Sequence, residues 1–115
     1  MADVKTILKT LTATPGISQA LVVGRDGFVI EAVGDMSADE LGAVISTAIG
    51  AVEAMGRDCS QGGLFEIMAE FKHGTMIAAP VGEDAILGIV AATHANLGAI
   101  RYAVKKNLRD LEAAL

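Results

Sequence analysis

The side chains that most often carry catalysis are few in this chain and far apart. His73 falls in a predicted turn, His94 falls just before a predicted helix, and neither has a partner at metal-ligand or catalytic spacing. The single cysteine, Cys59, has no companion in sequence and is more typical of a small buried hydrophobic residue than of a nucleophile. The sequence therefore predicts no catalytic residue, no metal site and no enzyme activity.

The sequence also contains no clear phosphate-binding loop and no clear pair of catalytic carboxylates. The chain contains neither a Walker-type loop nor a Gly-x-Gly-x-x-Gly motif, and Gly62-Gly63 alone is better explained as a loop hinge. Glu66 and Glu70 share one face of a predicted strand, a pattern that favours a solvated or interface-facing strand over a pair of catalytic carboxylates. We expect no cofactor.

Composition argues against several classes of partner and location. The 115 residues suffice for one domain, predicted to span 1–115, and 52% of them are hydrophobic. The net charge of −5 and the 3% aromatic content argue against nucleic acid or an anionic membrane as the partner. The longest uncharged helical run is far short of the ~20 residues of a membrane span. With one cysteine and no secretory signal, we expect a cytoplasmic protein.

A long helix from Ser37 to about Cys59 organises the chain, and Ser37 with Glu40 forms a predicted capping box. No charged residue occurs between Leu41 and Val52. At 100° per residue, one broad apolar face is predicted to cover a sheet. Its members are Leu41, Val44, Ile45, Ala48, Ile49, Val52, Met55 and Cys59.

The opposite face of this helix is small and nearly uncharged. Its members are Gly42, Ala43, Ser46, Thr47, Gly50, Ala51 and Ala54. Glycine inside a helix costs roughly 1 kcal/mol relative to alanine, and close approach of a second helix to a Gly42-x3-Ser46-x3-Gly50 row would offset that cost. We therefore predict a protein interface here.

The remaining helices and strands are predicted from N-cap residues, turn residues and apolar runs. Asp3 and Asn96 are predicted N-caps of a short first helix and of a final helix, and Arg25-Asp26-Gly27 is a hairpin signal. The predicted strands are Ile17 to Gly24, Phe28 to Val33, Leu64 to Phe71, Thr75 to Val81 and Ala85 to Ala92. The last of them is apolar on both faces, which indicates a central strand with helices on both sides of the sheet. The fold class is α+β, in the order α-β-β-α-β-β-β-α.

Two further segments are candidate contacts. If the strand from Leu64 to Phe71 lies at a sheet edge, it invites pairing with another copy of the chain. The row Arg101, Lys105 and Arg109 on the final helix is read either as a solvated face or as a docking patch for an acidic partner.

The sequence resembles a known family, the roadblock-type domains. Pro15-Gly16-Ile17, then Ala20-Leu21-Val22-Val23, Arg25-Asp26-Gly27 and Ile30 are similar to the opening of that family. The long small-residue helix, the three-strand meander and the amphipathic final helix extend the resemblance over essentially the whole chain, and the stand-alone bacterial or archaeal members are the most similar.

The resemblance implies a five-stranded antiparallel sheet in the order 2-1-5-4-3, between one long central helix and two terminal helices. It implies a homodimer that joins third strands and packs central helices together, and a platform for a small Ras-like GTPase. Some members of the family stimulate GTP hydrolysis, and others are scaffolds. No consensus catalytic arginine transfers to this sequence, so Arg57 is only a candidate contact.

The expected interface unites the small helix face and the third strand. It comprises Gly42, Ala43, Ser46, Thr47, Gly50, Ala54, Arg57, Leu64, Glu66, Met68 and Glu70. Two other functions remain open: a structural adaptor without effect on GTP hydrolysis, and a profilin-like or PAS-like small-molecule sensor, which would need a well-formed internal pocket.

Overall fold

The structure, a computed structural model, describes residues 2–115 and contains the predicted succession of elements. These are α1 (Val4–Thr12), β1 (Ile17–Gly24), β2 (Val29–Val33), α2 (Ala38–Asp58), β3 (Ile67–Phe71), β4 (Gly74–Val81), β5 (Ala85–Ala92) and α3 (Leu97–Ala114). The order confirms the prediction, and most boundaries agree within two residues.

The five strands form one antiparallel sheet in the order β2-β1-β5-β4-β3, as expected. The central strand β5 pairs with β1 on one side and with β4 on the other. Six of its eight residues are buried, so the prediction from its two apolar faces is confirmed. β2 and β3 are the edges.

Helices cover both faces of this sheet. α2 packs on one face, where Ile45 and Ile49 meet Leu21, Val23 and Ile86. α1 and α3 cover the other face. The core there is built from their apolar stripes and the alternate strand residues, notably Leu8, Leu11, Ala20, Val22, Leu87, Ile89, Ile100, Val104 and Leu111. The fold is therefore the predicted α+β arrangement.

Two of the three predicted helix caps are confirmed. Asp3 Oδ1 accepts a hydrogen bond from the Thr6 amide at 2.8 Å, and Asn96 Oδ1 accepts one from the Ala99 amide at 3.0 Å. The capping box at Ser37 is wrong, because its hydroxyl makes no capping hydrogen bond to any described residue. The segment entering α2 is held instead by the Met36 amide, which donates to buried Gln19 Oε1 at 3.0 Å.

The third strand is shorter than predicted, since it begins at Ile67 rather than at Leu64. Leu64 packs against the core beneath α2, whereas Glu66 reaches Arg101 of α3 on the opposite face of the sheet. Phe65 between them is 87% exposed and does not share the inward face of Ile67. These contacts interrupt strand alternation before Ile67.

α2 approaches the sheet closely at two glycines. A Cβ at Gly42 would lie 2.8 Å from Val23 Cγ1 and 3.1 Å from Val29 Cγ2. A Cβ at Gly88 of β5 would lie 2.7 Å from Ile45 Cδ1. By contrast, a Cβ at Gly50 would meet no described atom within 4 Å.

We predict opposite effects of alanine at the two helical glycines. Gly42→Ala should lower the free energy of unfolding by about 1–3 kcal/mol, because the added methyl group overpacks against buried valines. Gly50→Ala should raise it by up to about 1 kcal/mol, because only helix propensity changes. Urea denaturation of both variants measures this. Equal stability of Gly42→Ala and wild type would contradict the close seating of α2.

Candidate protein-interaction surface

The solvent side of α2 is apolar and consists mostly of small side chains. We call it the outer face, defined by Ala43, Val44, Thr47, Gly50, Ala51, Ala54 and Met55. Val44 is 65% exposed and Met55 is 63% exposed. A helix this rich in alanine forms readily, yet a face turned to water alone normally carries charges. The outer face therefore has the composition of a contact surface.

The predicted apolar face of α2 is only partly correct. Ile45 and Ile49 are buried against the sheet, but Val44, Met55 and Cys59 are exposed. A helix resting on a sheet buries a narrow stripe, so the residues one step of 100° away turn to its flanks. The interpretation of Cys59 as a buried residue is also wrong, because Cys59 is the exposed C-cap residue at the end of α2.

The three residues of the small-residue row of α2 differ in exposure: Gly42 is buried, Ser46 is half-buried and Gly50 is exposed. Gly42 is buried against Val23 and Val29, so the prediction that it meets a second helix is wrong. Ser46 is half-buried, and its hydroxyl donates to the Ala43 carbonyl at 2.9 Å. A Cβ at Gly27 in the β1–β2 turn would lie 3.2 Å from Ser46 Oγ. The row thus faces the chain's own hairpin up to Ser46.

The hairpin turn holds α2 in place from this side. Gly27 adopts a φ of +89°, and the Phe28 amide donates to Asp26 Oδ1 at 3.0 Å, which shapes the turn. The Arg25 guanidinium binds the Glu53 carboxylate in bidentate fashion, and Nη2 lies 3.0 Å from Oε2. The sequence predicted the turn but not this ion pair, which only the packing of the turn on α2 creates.

The ion pair shifts the ionisation of both partners. The hydrogen bond from Arg25 lowers the pKa of Glu53, against the opposing effect of partial burial, and the positive charges of Arg25 and Arg57 add to the lowering. The same hydrogen bond raises the pKa of Arg25. The pair is formed at neutral pH and fixes the C-terminal half of α2 on the hairpin.

On its other side, α2 borders a groove next to the edge strand β3. The groove has a volume of about 180 Å³ and is almost entirely apolar. It is lined by Leu41, Val44, Ala48, Ile67, Ala69, Phe71 and Met76, among others. Phe71 is 61% exposed at its rim. Sequence periodicity predicted which face of the strand carries Phe71. It did not predict the groove, which forms between α2 and β3 in the tertiary structure.

The strand residues of the predicted interface lie on two sides of the sheet. Met68 packs toward α1 and α3, and Glu66 Oε2 accepts a hydrogen bond from Arg101 Nε at 2.7 Å. Glu70 is exposed on β3, and Leu64 packs beneath α2. Arg57 is exposed in the last turn of α2.

The basic row of α3 is not uniform. Arg101 is engaged with Glu66, whereas Lys105 and Arg109 are exposed. This row lies on the sheet face opposite α2, so it is not part of the surface formed by α2 and β3.

Within residues 2–115, no group of three or more His, Cys, Asp or Glu side chains is placed to hold a metal ion. His73 and His94 are both exposed, one in the β3–β4 turn and the other ahead of α3. None of the helices in that part of the chain is long and apolar enough to cross a membrane.

Comparison with known proteins agrees with this architecture. The sequence model of the Roadblock/LC7 domain matches residues 3–91. The chain is 35% identical over 109 residues to the uncharacterized protein MJ1340 of Methanocaldococcus jannaschii, which covers 93% of this chain and 95% of that relative.

Solved structures share the fold at low sequence identity. A Roadblock/LC7 domain from Streptomyces avermitilis superposes with a TM-score of 0.90 at 19% identity and covers 97% of both chains. Myxococcus xanthus MglB superposes with a TM-score of 0.89 at 16% identity, over 96% of this chain and 92% of that one.

We predict that the Arg25–Glu53 pair stabilises the fold in a pH-dependent way. Glu53→Gln should lower the free energy of unfolding at pH 7 by about 0.5–1 kcal/mol, because the pair is partly exposed. The folded-state pKa of Glu53 is depressed, so its contribution is complete above the ordinary glutamate pKa. The contribution disappears as the pH falls through the lower folded-state pKa.

Denaturation curves between about pH 7 and pH 3 bracket the ordinary glutamate pKa and test this dependence. In the Arg25→Ala background, Glu53→Gln should cost little, since the partner is already absent. An equal loss in both backgrounds would show that the two side chains act independently.

Proposed function

The chain belongs to the Roadblock/LC7 domain family, and from that premise we propose that it is a non-catalytic, homodimeric binding platform for a small Ras-like GTPase. The proposed dimer joins two copies through α2 and β3. The proposed GTPase contact is the outer face of α2, together with Arg57 at its end. We place this platform in the cytoplasm, where a lone cysteine stays reduced.

One observation carries the proposal: the outer face of α2 is exposed, apolar and free of charged side chains between Glu40 and Glu53. Surfaces of this kind on a protein that stays in solution mark binding sites. Val44 and Met55, each more than 60% exposed, are the large side chains there. Methionine and valine flanked by small residues suit a partner that lies flat on the helix.

Self-association is supported by the state of the sheet edge. Within the described chain, no strand pairs with the outer side of β3. Its side chains Ala69 and Phe71 are exposed, and the edge carries a single charged residue, Glu70. An exposed apolar edge with few protecting charges pairs readily with another strand. A second copy is the partner that symmetry favours.

The GTPase component of the proposal is supported by the family resemblance rather than by a catalytic group. Thr47 is the polar residue of the outer face, and its hydroxyl already donates to the Ala43 carbonyl at 3.0 Å. Arg57 is given no catalytic role. The platform would act by binding and positioning the GTPase. An adaptor that binds without changing GTP hydrolysis uses the same surface, so rate measurements separate the two.

A small-molecule sensor finds less support. Such a function needs an enclosed pocket with polar groups that orient the ligand. The apolar groove between α2 and β3 opens to the surface and presents almost no polar atoms. Its shape favours a protein side chain over a free ligand.

We predict that Thr47→Arg weakens GTPase binding. Thr47 is exposed on the outer face, and a buried unpaired guanidinium there should raise the dissociation constant at least about tenfold. The measurement is titration of the chain into Ras-like GTPases encoded beside it, each loaded with GDP or a non-hydrolysable GTP analogue.

Ala113→Arg on α3 is the matched control, because it adds the same charge at an exposed position on the opposite side of the sheet. Its affinity should equal that of wild type. GTP hydrolysis and nucleotide exchange rates, measured in the same samples, identify an activator or an adaptor. Failure of every neighbouring Ras-like GTPase to bind in either nucleotide state would exclude the proposed function.

A further inference from the structure

The solvent side of α3 is strongly basic, and it lies on the sheet face opposite the platform proposed above. Its exposed residues, which we call the basic face, are Arg101, Tyr102, Lys105, Lys106 and Arg109. We propose that the basic face is a second binding site, and that its ligand is an acidic helical segment of a partner protein. This inference does not depend on the GTPase.

Charge is distributed unevenly between the two sides of the sheet. α1 and α3, which share one core, contain six of the nine Lys and Arg residues and two of the fourteen Asp and Glu residues. α2, on the other side, contains four acidic residues and one basic residue. A chain with a net charge of −5 therefore presents a positive field on the side of α1 and α3.

The cations of α3 are arranged in a regular row. The helix buries one apolar stripe in the core, and the basic face occupies the side turned to solvent. Arg101, Lys105 and Arg109 recur at every fourth position, so neighbouring Cβ atoms lie about 6 Å apart and the row runs for about 12 Å. Lys106 and Tyr102 border the row, and Tyr102 is 68% exposed. The basic face is therefore one helix wide and about two turns long.

One contact within the chain shows how a carboxylate binds at this face. Glu66 Oε2, from the segment ahead of β3, accepts a hydrogen bond from Arg101 Nε at 2.7 Å. The Glu66 side chain is only 11% exposed, so the contact is well shielded on the carboxylate side. Farther along the row, Lys105 and Arg109 form no salt bridge with any residue between 2 and 115. The row thus continues past its one bound carboxylate with cations that another chain can neutralise.

Spacing and charge together select an acidic helix as the ligand. A helix with carboxylates at every fourth position presents them about 6 Å apart, so each can face one cation of the row. A single exposed ion pair contributes little to binding, and a row of cations supplies several pairs at once. The ring of Tyr102 adds apolar area against which an aliphatic side chain of the partner can pack.

Other polyanions match the basic face less well. A helix that binds an anionic membrane exposes an apolar face beside its cations, whereas the apolar stripe of α3 is buried in the core. A surface for single-stranded nucleic acid carries several aromatic side chains on which bases stack, and the basic face has Tyr102 alone. An acidic protein segment needs neither feature.

The position of the basic face allows both surfaces of the chain to be used together. The outer face of α2 and the basic face of α3 lie on opposite sides of the sheet. A partner bound along α3 therefore does not cover α2. The chain could then connect two different proteins, one on each side.

Tyr102 reports binding at this face, because it is the single tyrosine of a chain without tryptophan. The probe is a synthetic alanine-based helical peptide with glutamate at every fourth position and no aromatic residue. The control peptide has lysine at the same positions. At low ionic strength, the glutamate peptide should change the fluorescence of Tyr102, and the lysine peptide should not. No change with the glutamate peptide, or an equal response to both peptides, would overturn the proposal.

Charge reversal locates the site, with the affinity of a fluorescein-labelled glutamate peptide measured by anisotropy. The double variant Lys105→Glu/Arg109→Glu should raise the dissociation constant at least about tenfold, because two attractions become repulsions. Lys5→Glu/Lys9→Glu makes the same change in net charge on α1 and should raise it less than about threefold, since α1 is a separate helix. All four positions are exposed, so both variants should fold, which circular dichroism verifies. Equal losses in the two variants would overturn the assignment to α3.

Competition identifies the class of ligand. Unlabelled glutamate peptide, phosphatidylserine vesicles and a single-stranded oligonucleotide are each added at equal total charge to the complex with the labelled peptide. The glutamate peptide should displace the label most effectively. Stronger displacement by the vesicles or by the oligonucleotide would overturn the assignment to an acidic protein segment. None of these measurements uses a GTPase, so their failure and the failure of the proposed function are distinguishable.

Discussion

The close approach of α2 to the sheet is the constraint on which the rest of the structure depends. Gly42 on the helix and Gly88 on the central strand remove the side chains that would hold the two layers apart. Ile45 and Ile49 then fill the space between them. Because the contact is tight and narrow, it buries only one stripe of α2, and the rest of the helix surface between Leu41 and Val52 carries no charge. The exposed outer face is a direct consequence of this seating.

The seating also makes the two flanks of α2 unequal. On one flank the β1–β2 turn packs against Ser46, and Arg25 binds Glu53, so the chain covers its own helix. On the other flank the sheet ends at β3, and a groove is left between helix and edge. The free backbone edge and the apolar groove lie together. A single second copy could satisfy both, which is why self-association and platform formation are linked in our proposal.

Much of the fold could be predicted because it rests on local patterns. The apolar stripes of α1 and α3 gave their positions, and the doubly apolar run of β5 gave its place in the centre of the sheet. The candidate surface was predicted less well. Periodicity located the helix faces correctly to within one step of 100°, but that step decides whether Val44 is buried or exposed. Gly42 was predicted to contact a second helix, but it contacts Val23 and Val29 of the chain's own sheet.

The sequence by itself determined the elements, their order and the uncharged run from Leu41 to Val52 in α2, because these depend on residue types a few positions apart. Only the tertiary structure decided which side of α2 is free, since that depends on how far a rigid helix is rotated over a flat sheet. Contacts between distant segments set this rotation: Gly42 with Val23, Arg25 with Glu53 and Gly88 with Ile45. Each joins residues at least 19 positions apart in the sequence, beyond the range of any local pattern.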